Sequence, residues 1–255
     1  MVKYQELIYE LNAHRYNVYI LDHRGQGYSQ RLDKNSTLGD VNSFNDYVKD
    51  MHFFVKKFLP KSEKNILLAH SMGGAIASLY LEKYTNDFQA LLLSSPMHQP
   101  NILGSLFSGK ICQVIEKREK GLSRYIKNLK SYDEALVSFE ENTLTHSALR
   151  YKIMKIAFDI NPETKVGDPT IHWVSEACSA SLQSVTHAEK ITIPILLLQA
   201  KDDEIVLLSA QDQFCKRAKR CHLEKIEGAY HELFIEKDSI RTHVIKLLLA
   251  FIEKV

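Results

Sequence analysis

Between Asn65 and Leu81 the sequence reads NILLAHSMGGAIASLYL, and this segment restricts the fold more than any other. NILLAH is a short apolar run of strand length, while MGGAIASLYL is a helix-forming run rich in alanine and leucine. Ser71 stands alone between them, so strand must pass into helix at one residue. Ala69, Gly73 and Gly74 are small, as a strand and a helix that nearly touch require. A serine in such a turn is lifted clear of the sheet. The turn also aims the backbone N–H of Met72, and the positive end of the following helix, at the place where an oxyanion forms. The pattern predicts a nucleophile elbow, with Ser71 as nucleophile and the Met72 N–H as oxyanion donor. A plain serine N-cap followed by glycines would not explain why strand, small residues and helix coincide. Ala69 stands where the usual motif has glycine, one methyl larger, which the turn tolerates.

The rest of the chain supplies the sheet that an elbow needs. Tyr4, Leu7, Ile8 and Leu11 repeat at helical spacing and predict a helix from about Lys3 to His14. Asn17 to Asp22 (NVYILD) reads as a strand, followed by a turn-rich stretch, DHRGQGYSQ. Phe44, Tyr47, Val48, Met51, Phe54, Val55 and Phe58 predict a helix over Ser43 to Phe58, with Ser43 as N-cap. Ala90 to Ser94, Ile195 to Ala200 and His222 to Ile226 read as further strands, with helices over Ser209 to Lys219 and Lys237 to Glu253. Near-continuous apolar strands alternating with helices mean an α/β fold with a mostly parallel sheet flanked by helices. From Pro96 to about Lys190 no strand is predicted and helices are, notably Leu103 to Glu116, Ser147 to Asp159 and Ile171 to Val185. A crossover needs about a dozen residues. The excess reads as a helical cap over 97–189, inserted into a core made of 1–96 and 190–255.

A serine hydroxyl is a weak nucleophile until a base takes its proton, and in this fold acid and base follow in the order Ser, Asp, His. The strand ILLLQA runs into KDDEIV, which sets Asp202 and Asp203 at the carboxyl tip of a strand, where ligands collect in open α/β sheets. His231, in EGAYHELF, lies after the last strand and before the last helix, 28 residues beyond Asp203. That interval holds one helix and one strand. His70, next to Ser71, is read as structural, because strand alternation and the elbow turn it away.

LDHRGQGYSQ, DVNSFNDYVKDM, LLAHSMGGAIASLYL, DPTIHWV, LLLQAKDDEIV and KIEGAYHELFIEKD together resemble the bacterial lysophospholipase L2 group of the α/β-hydrolase superfamily, related to monoacylglycerol lipases. The likeness runs from about Val2 to the C-terminus and is weakest over Ile102 to Leu144. It implies a serine carboxyl-ester hydrolase acting on lysophospholipids or monoacylglycerols, with Ser71 as nucleophile, His231 as base and Asp203, rather than Asp202, as acid. It implies no metal or organic cofactor, and a cytoplasmic-side protein held peripherally on the bacterial inner membrane. DHRGQG resembles the turn after the group's fourth strand, where Gly25 and Gly27 supply tight backbone. A small-ester or amide hydrolase is the alternative within enzymes. A truncated, non-catalytic remnant or lipid-binding protein is the alternative outside them.

Members of the group have three strands before the first helix, the third leading into a loop with a second oxyanion N–H, and the cap follows the sixth strand. The present sequence opens at that helix, so the resemblance implies that those three strands are missing from it. Asn17–Asp22 and Asn65–His70 must then pair directly, or a gap stays open, and a poorly soluble, nearly inactive chain is the expectation.

Composition excludes other classes. With 33 basic against 31 acidic residues, and no run of like charge, nucleic acid is not an expected partner. The longest apolar runs fall far short of the about 20 residues of a membrane span, and the N-terminus lacks the apolar run of a signal peptide. Cys112, Cys178, Cys215 and Cys221 lack CxxC spacing and read as reduced thiols. Gly109 to Lys130 carries seven basic and two acidic side chains, with Ile111, Ile115, Leu122, Ile126 and Leu129 near one helical face. The segment is expected either to lie on anionic lipid headgroups beside the active-site mouth or to be a solvated amphipathic helix.

Overall fold

A computed structural model describes residues 2–32, 37–61, 63–84, 87–102, 112 and 138–255. The strands β1 (Ile66–His70), β2 (Ala90–Ser94), β3 (Ile195–Ala200) and β4 (Cys221–Ile226) form one parallel sheet in the order β1-β2-β3-β4. Every residue of β2 and β3 is buried, as expected of inner strands covered on both faces. Period-two alternation sorts their side chains. Leu91, Leu93 and Leu197 enter one core with Val48 of helix α2 (Phe44–Phe58) and Ile76 and Tyr80 of α3 (Met72–Lys83). Leu92, Leu196 and Leu198 enter the other, against Leu7 and Leu11 of α1 (Gln5–Ala13). Each such leucine contributes about 1.5–3 kcal/mol of burial.

Between β2 and β3 the described residues include the α-helices α4 (Ala148–Ile160) and α5 (Ile171–Thr186). Ala177, Ala180 and Val185 of α5 pack into the same core as α2 and α3. The helix expected over Leu103 to Glu116 lies outside the described residues, as does 109–130 apart from Cys112. After β3 come α6 (Leu208–Arg217) and, beyond β4, α7 (Asp238–Lys254), whose Val244 and Leu248 close the second core.

Two expectations are corrected, and a third, the Ser43 N-cap, is met in position but not in its side-chain bond. Asn17–Asp22 forms no strand and belongs to no ladder. A strand needs a partner, and here the segment and β1 both line a cavity of about 760 Å³, with Val18, Ile20, Leu21, Leu67 and Leu68 among its walls. Of the two outcomes foreseen for these segments, the gap is the one observed. The β1 residues that bond towards β2 share the parity of Asn65 and Ser71, through Gln89 N–H to Asn65 O and Ser71 N–H to Ser94 O. By alternation, the N–H and C=O groups of Ile66, Leu68 and His70 face the cavity. Ser43 does precede α2 in an extended conformation, but its hydroxyl makes no capping bond; the Phe44 N–H donates instead to Glu176 Oε2, 2.6 Å away. The cysteines are paired, Cys112 with Cys178 and Cys215 with Cys221, at Cα separations of 5.5 and 5.2 Å. Pairing follows spatial approach, which sequence spacing alone does not report.

Candidate active site

Ser71 joins β1 to α3 with φ 50° and ψ −121°, a conformation costly for a residue with a Cβ. Three backbone hydrogen bonds hold it there. Its N–H donates to Ser94 O at 3.0 Å, and its carbonyl accepts from Gly74 at 2.8 Å and Met97 at 2.9 Å. The elbow is therefore clamped against the end of β2 and the loop that follows. A Cβ on Gly74 would lie 2.5 Å from Pro96 Cβ, so glycine is required there, whereas one on Gly73 would meet Ala69 Cβ at 3.9 Å, an ordinary contact. Met72 is the first residue of α3, and an N–H at that position has no partner within its own helix.

His231 is buried in the loop after β4. Its Nδ1 lies 2.7 Å from Asp203 Oδ2 and its Nε2 lies 2.9 Å from Ser71 Oγ. A carboxylate only accepts, so Nδ1 carries the proton and Nε2 is free to accept from the serine hydroxyl. Asp203 is itself fixed, because its other oxygen accepts from the N–H groups of Ile205 at 2.8 Å and Val206 at 3.2 Å. Its carboxylate is fully enclosed, whereas Asp202 is exposed. Thus Ser71, Asp203 and His231 converge from positions up to 160 residues apart, and Asp203 is the acid that faces the imidazole.

The DHRGQG turn lies behind the elbow. Gly25 and Gly27 take φ of 75° and 53°, and a Cβ on either would collide with Asp40 O or the Asp22 carboxylate. Arg24 holds Asp50 through two hydrogen bonds of 2.6 and 2.7 Å. His23 packs edge-on to Tyr47 and is pushed down to about 4 by burial.

Residues 1–238 match the family described as serine aminopeptidase, S33 (Hydrolase_4). Over 99% of its length the chain is 35% identical to lysophospholipase L2 of Escherichia coli K12, covering 77% of that protein. The chain belongs to this α/β-hydrolase family. A monoacylglycerol lipase of Mycolicibacterium smegmatis is 25% identical over 92% of the chain and 78% of its own length. In three dimensions, a soluble variant of the Saccharomyces cerevisiae monoglyceride lipase superposes with a TM-score of 0.76 at 15% identity, over 100% of this chain and 83% of that one.

In this Hydrolase_4 chain, sequence reasoning missed what surrounds His231. Glu232, buried beside it, accepts from Lys3 Nζ at 2.6 Å and from the Tyr4 hydroxyl at 3.2 Å. His70 does not bond Ser71, as expected, yet its ring centroid lies 4.8 Å from that of His231. Its Nδ1 is 3.3 Å from Ser94 Oγ, and its Nε2 is 3.2 Å from Glu232 Oε1, close but not aligned for a hydrogen bond. Burial pushes His70 down, so it stays neutral near pH 7. Burial alone would raise Glu232, but His70 first and the Lys3 ammonium next override it and hold the carboxyl well below its usual range. Lys3 is the counter-ion. The available signal was an acid directly after the predicted base, with no role assigned to it.

Proposed function

We propose that the chain is a carboxylic ester hydrolase that cleaves the acyl ester of lysophospholipids or monoacylglycerols, with Ser71, His231 and Asp203 as its catalytic residues. The observation that carries this reading is the hydrogen-bonded line from Ser71 Oγ through the His231 ring to Asp203. The names of the relatives, lysophospholipase L2 and monoacylglycerol lipase, support the substrate class. Ser71 Oγ attacks the acyl carbonyl while His231 Nε2 takes its proton, and the Met72 N–H donates to the developing oxyanion. The tetrahedral adduct collapses, the glyceryl oxygen leaves with the proton from Nε2, and acyl-Ser71 remains. Water then repeats the sequence, its proton passing to Nε2, and the fatty acid leaves. Asp203 holds Nδ1–H throughout and stabilises the imidazolium.

The test is labelling with a fluorophosphonate, followed by turnover of lysophosphatidylcholine, a monoacylglycerol and an aminoacyl anilide. Labelling that is absent in Ser71→Ala, with ester turnover exceeding anilide turnover, is expected. Equal labelling of the Ser71→Ala chain, or anilide cleavage without ester cleavage, overturns the reading.

The finer part of the proposal is a peripheral position on the cytoplasmic face of the bacterial inner membrane, through a helical cap at 97–189. The net charge of +5 over 109–130 supports contact with anionic headgroups. So does α4, which exposes Leu149, Ile153, Ile156 and Ile160 along one face. Among the described residues no helix is long and apolar enough to cross a membrane. Sedimentation with phosphatidylglycerol vesicles, lost with pure phosphatidylcholine or at high salt, is the expected result. Equal binding to both vesicles, or none, refutes it.

A further inference from the structure

The geometry points to Glu232 as a positioning residue for the reaction: anchored by Lys3 and Tyr4, its carboxylate fixes the loop that carries His231 and, across the His70 ring, biases the charge on the His231 imidazole. The inference rests on the reading of Ser71, His231 and Asp203 as catalytic.

The anchoring is visible in the bonds around one residue. Glu232 is 3% exposed, so its charge has little access to water. Breaking a buried pair costs far more than an exposed one, because the remaining charge is left uncompensated. Glu232 Oε1 takes the Lys3 ammonium at 2.6 Å and Oε2 takes the Tyr4 hydroxyl at 3.2 Å. Its backbone N–H donates to Leu144 O at 2.9 Å. The residue after His231 is thus tied to the turn Val2–Tyr4 before α1 and to the segment before α4. A loop held at these points leaves His231 little freedom, and catalytic geometry tolerates little.

The electrostatic part follows from which groups surround the imidazole. Asp203 faces it from the loop after β3, Ser71 from the elbow and His70 from β1. Lys3 and Tyr4 reach the Glu232 side from the turn before α1. In the same loop, Glu236 is buried, accepting from the Tyr230 N–H at 2.9 Å and lying 2.7 Å from His146 Nδ1. From α7, Arg241 donates to Phe234 O and is matched by Glu10 of α1 at 2.7 Å. Glu232 and Lys3 therefore form the charged pair behind His70. An anion there favours the imidazolium that forms in the transition state, and a cation opposes it.

Fluorophosphonate labelling of Ser71, followed against pH, reads both effects without knowledge of the natural substrate. Glu232→Gln removes the charge and loosens the loop. Its labelling rate at pH 7.5 is expected to fall about tenfold, and the acid limb of its rate profile to move about half a unit to lower pH, because imidazole protonation loses a favourable charge. Glu232→Asp keeps the charge on a shorter arm, so its rate falls while its acid limb stays at the wild-type position. If Glu232→Gln does not fold, Lys3→Gln reads the opposite sign and moves the limb to higher pH. Wild-type behaviour in the Gln variant overturns the inference. So does a lowered rate with an unmoved limb, which would reveal packing alone, and so does an unmoved limb in Lys3→Gln. A wild-type chain that is not labelled at all is a different failure, that of the serine-hydrolase reading itself.

Discussion

Replacing Gly74 by alanine tests how closely the elbow is packed. The new Cβ would lie 2.5 Å from Pro96 Cβ and 2.9 Å from Pro96 Cα. Carbon atoms rest about 3.5–4.0 Å apart, so the overlap is about 1 Å, and proline offers no flexible end to give way. The first turn of α3 must move away from the loop after β2. Such overpacking costs about 1–3 kcal/mol, which in a chain of this size lowers Tm by roughly 2–10 °C. The same movement disturbs the bond between Gly74 N–H and Ser71 O. A displacement of about 1 Å at a reacting atom costs about 10²-fold in rate. Gly73→Ala is the internal control, because its Cβ would meet only Ala69 Cβ at 3.9 Å and His23 Nε2 at 4.0 Å. Calorimetry and fluorophosphonate labelling of both variants measure the two effects. Wild-type Tm and labelling in Gly74→Ala, or equal damage from Gly73→Ala, would refute the reasoning.

Asp203→Asn is expected to cost about 10³–10⁴ in turnover and Asp202→Asn almost nothing, since only Asp203 bonds the imidazole; steady-state kinetics on one ester substrate decides it, and the reverse ranking would refute it. Folding stability should fall as pH drops from about 6.5 towards 4. Burial lowers His23 to about 4 and His98 to about 3, so the unfolded chain binds protons that the folded one refuses. Each then removes about 2 kcal/mol by pH 5, and a Tm equal at pH 7 and pH 5 would contradict this. The open edge of β1 should make the chain self-associate, each orphaned backbone group costing about 1–3 kcal/mol, as sedimentation velocity would reveal; a strictly monomeric chain across a concentration series would count against it.

Much of this molecule was determined by local sequence. Apolar runs bounded by turns located β1 to β3, and the 3.6-residue spacing of Tyr47, Val48, Met51 and Val55 located α2, because both periodicities act within a few residues. The elbow was legible for the same reason: strand, serine and helix are contiguous. Choosing Asp203 over Asp202 needed the family resemblance, since adjacent acids at a strand tip look alike until one is seen to turn inward. Tertiary structure alone decided the rest. Asn17–Asp22 has strand-like residues, but a ladder requires a neighbour, and here the neighbouring space is a cavity. Gly74, rather than Gly73, is the position that must be small, because the obstacle is Pro96, 22 residues away in sequence. The Cys112–Cys178 pair and the Lys3–Glu232 anchor join positions 66 and 229 residues apart, distances over which sequence spacing carries no information and only the packed chain brings the atoms together.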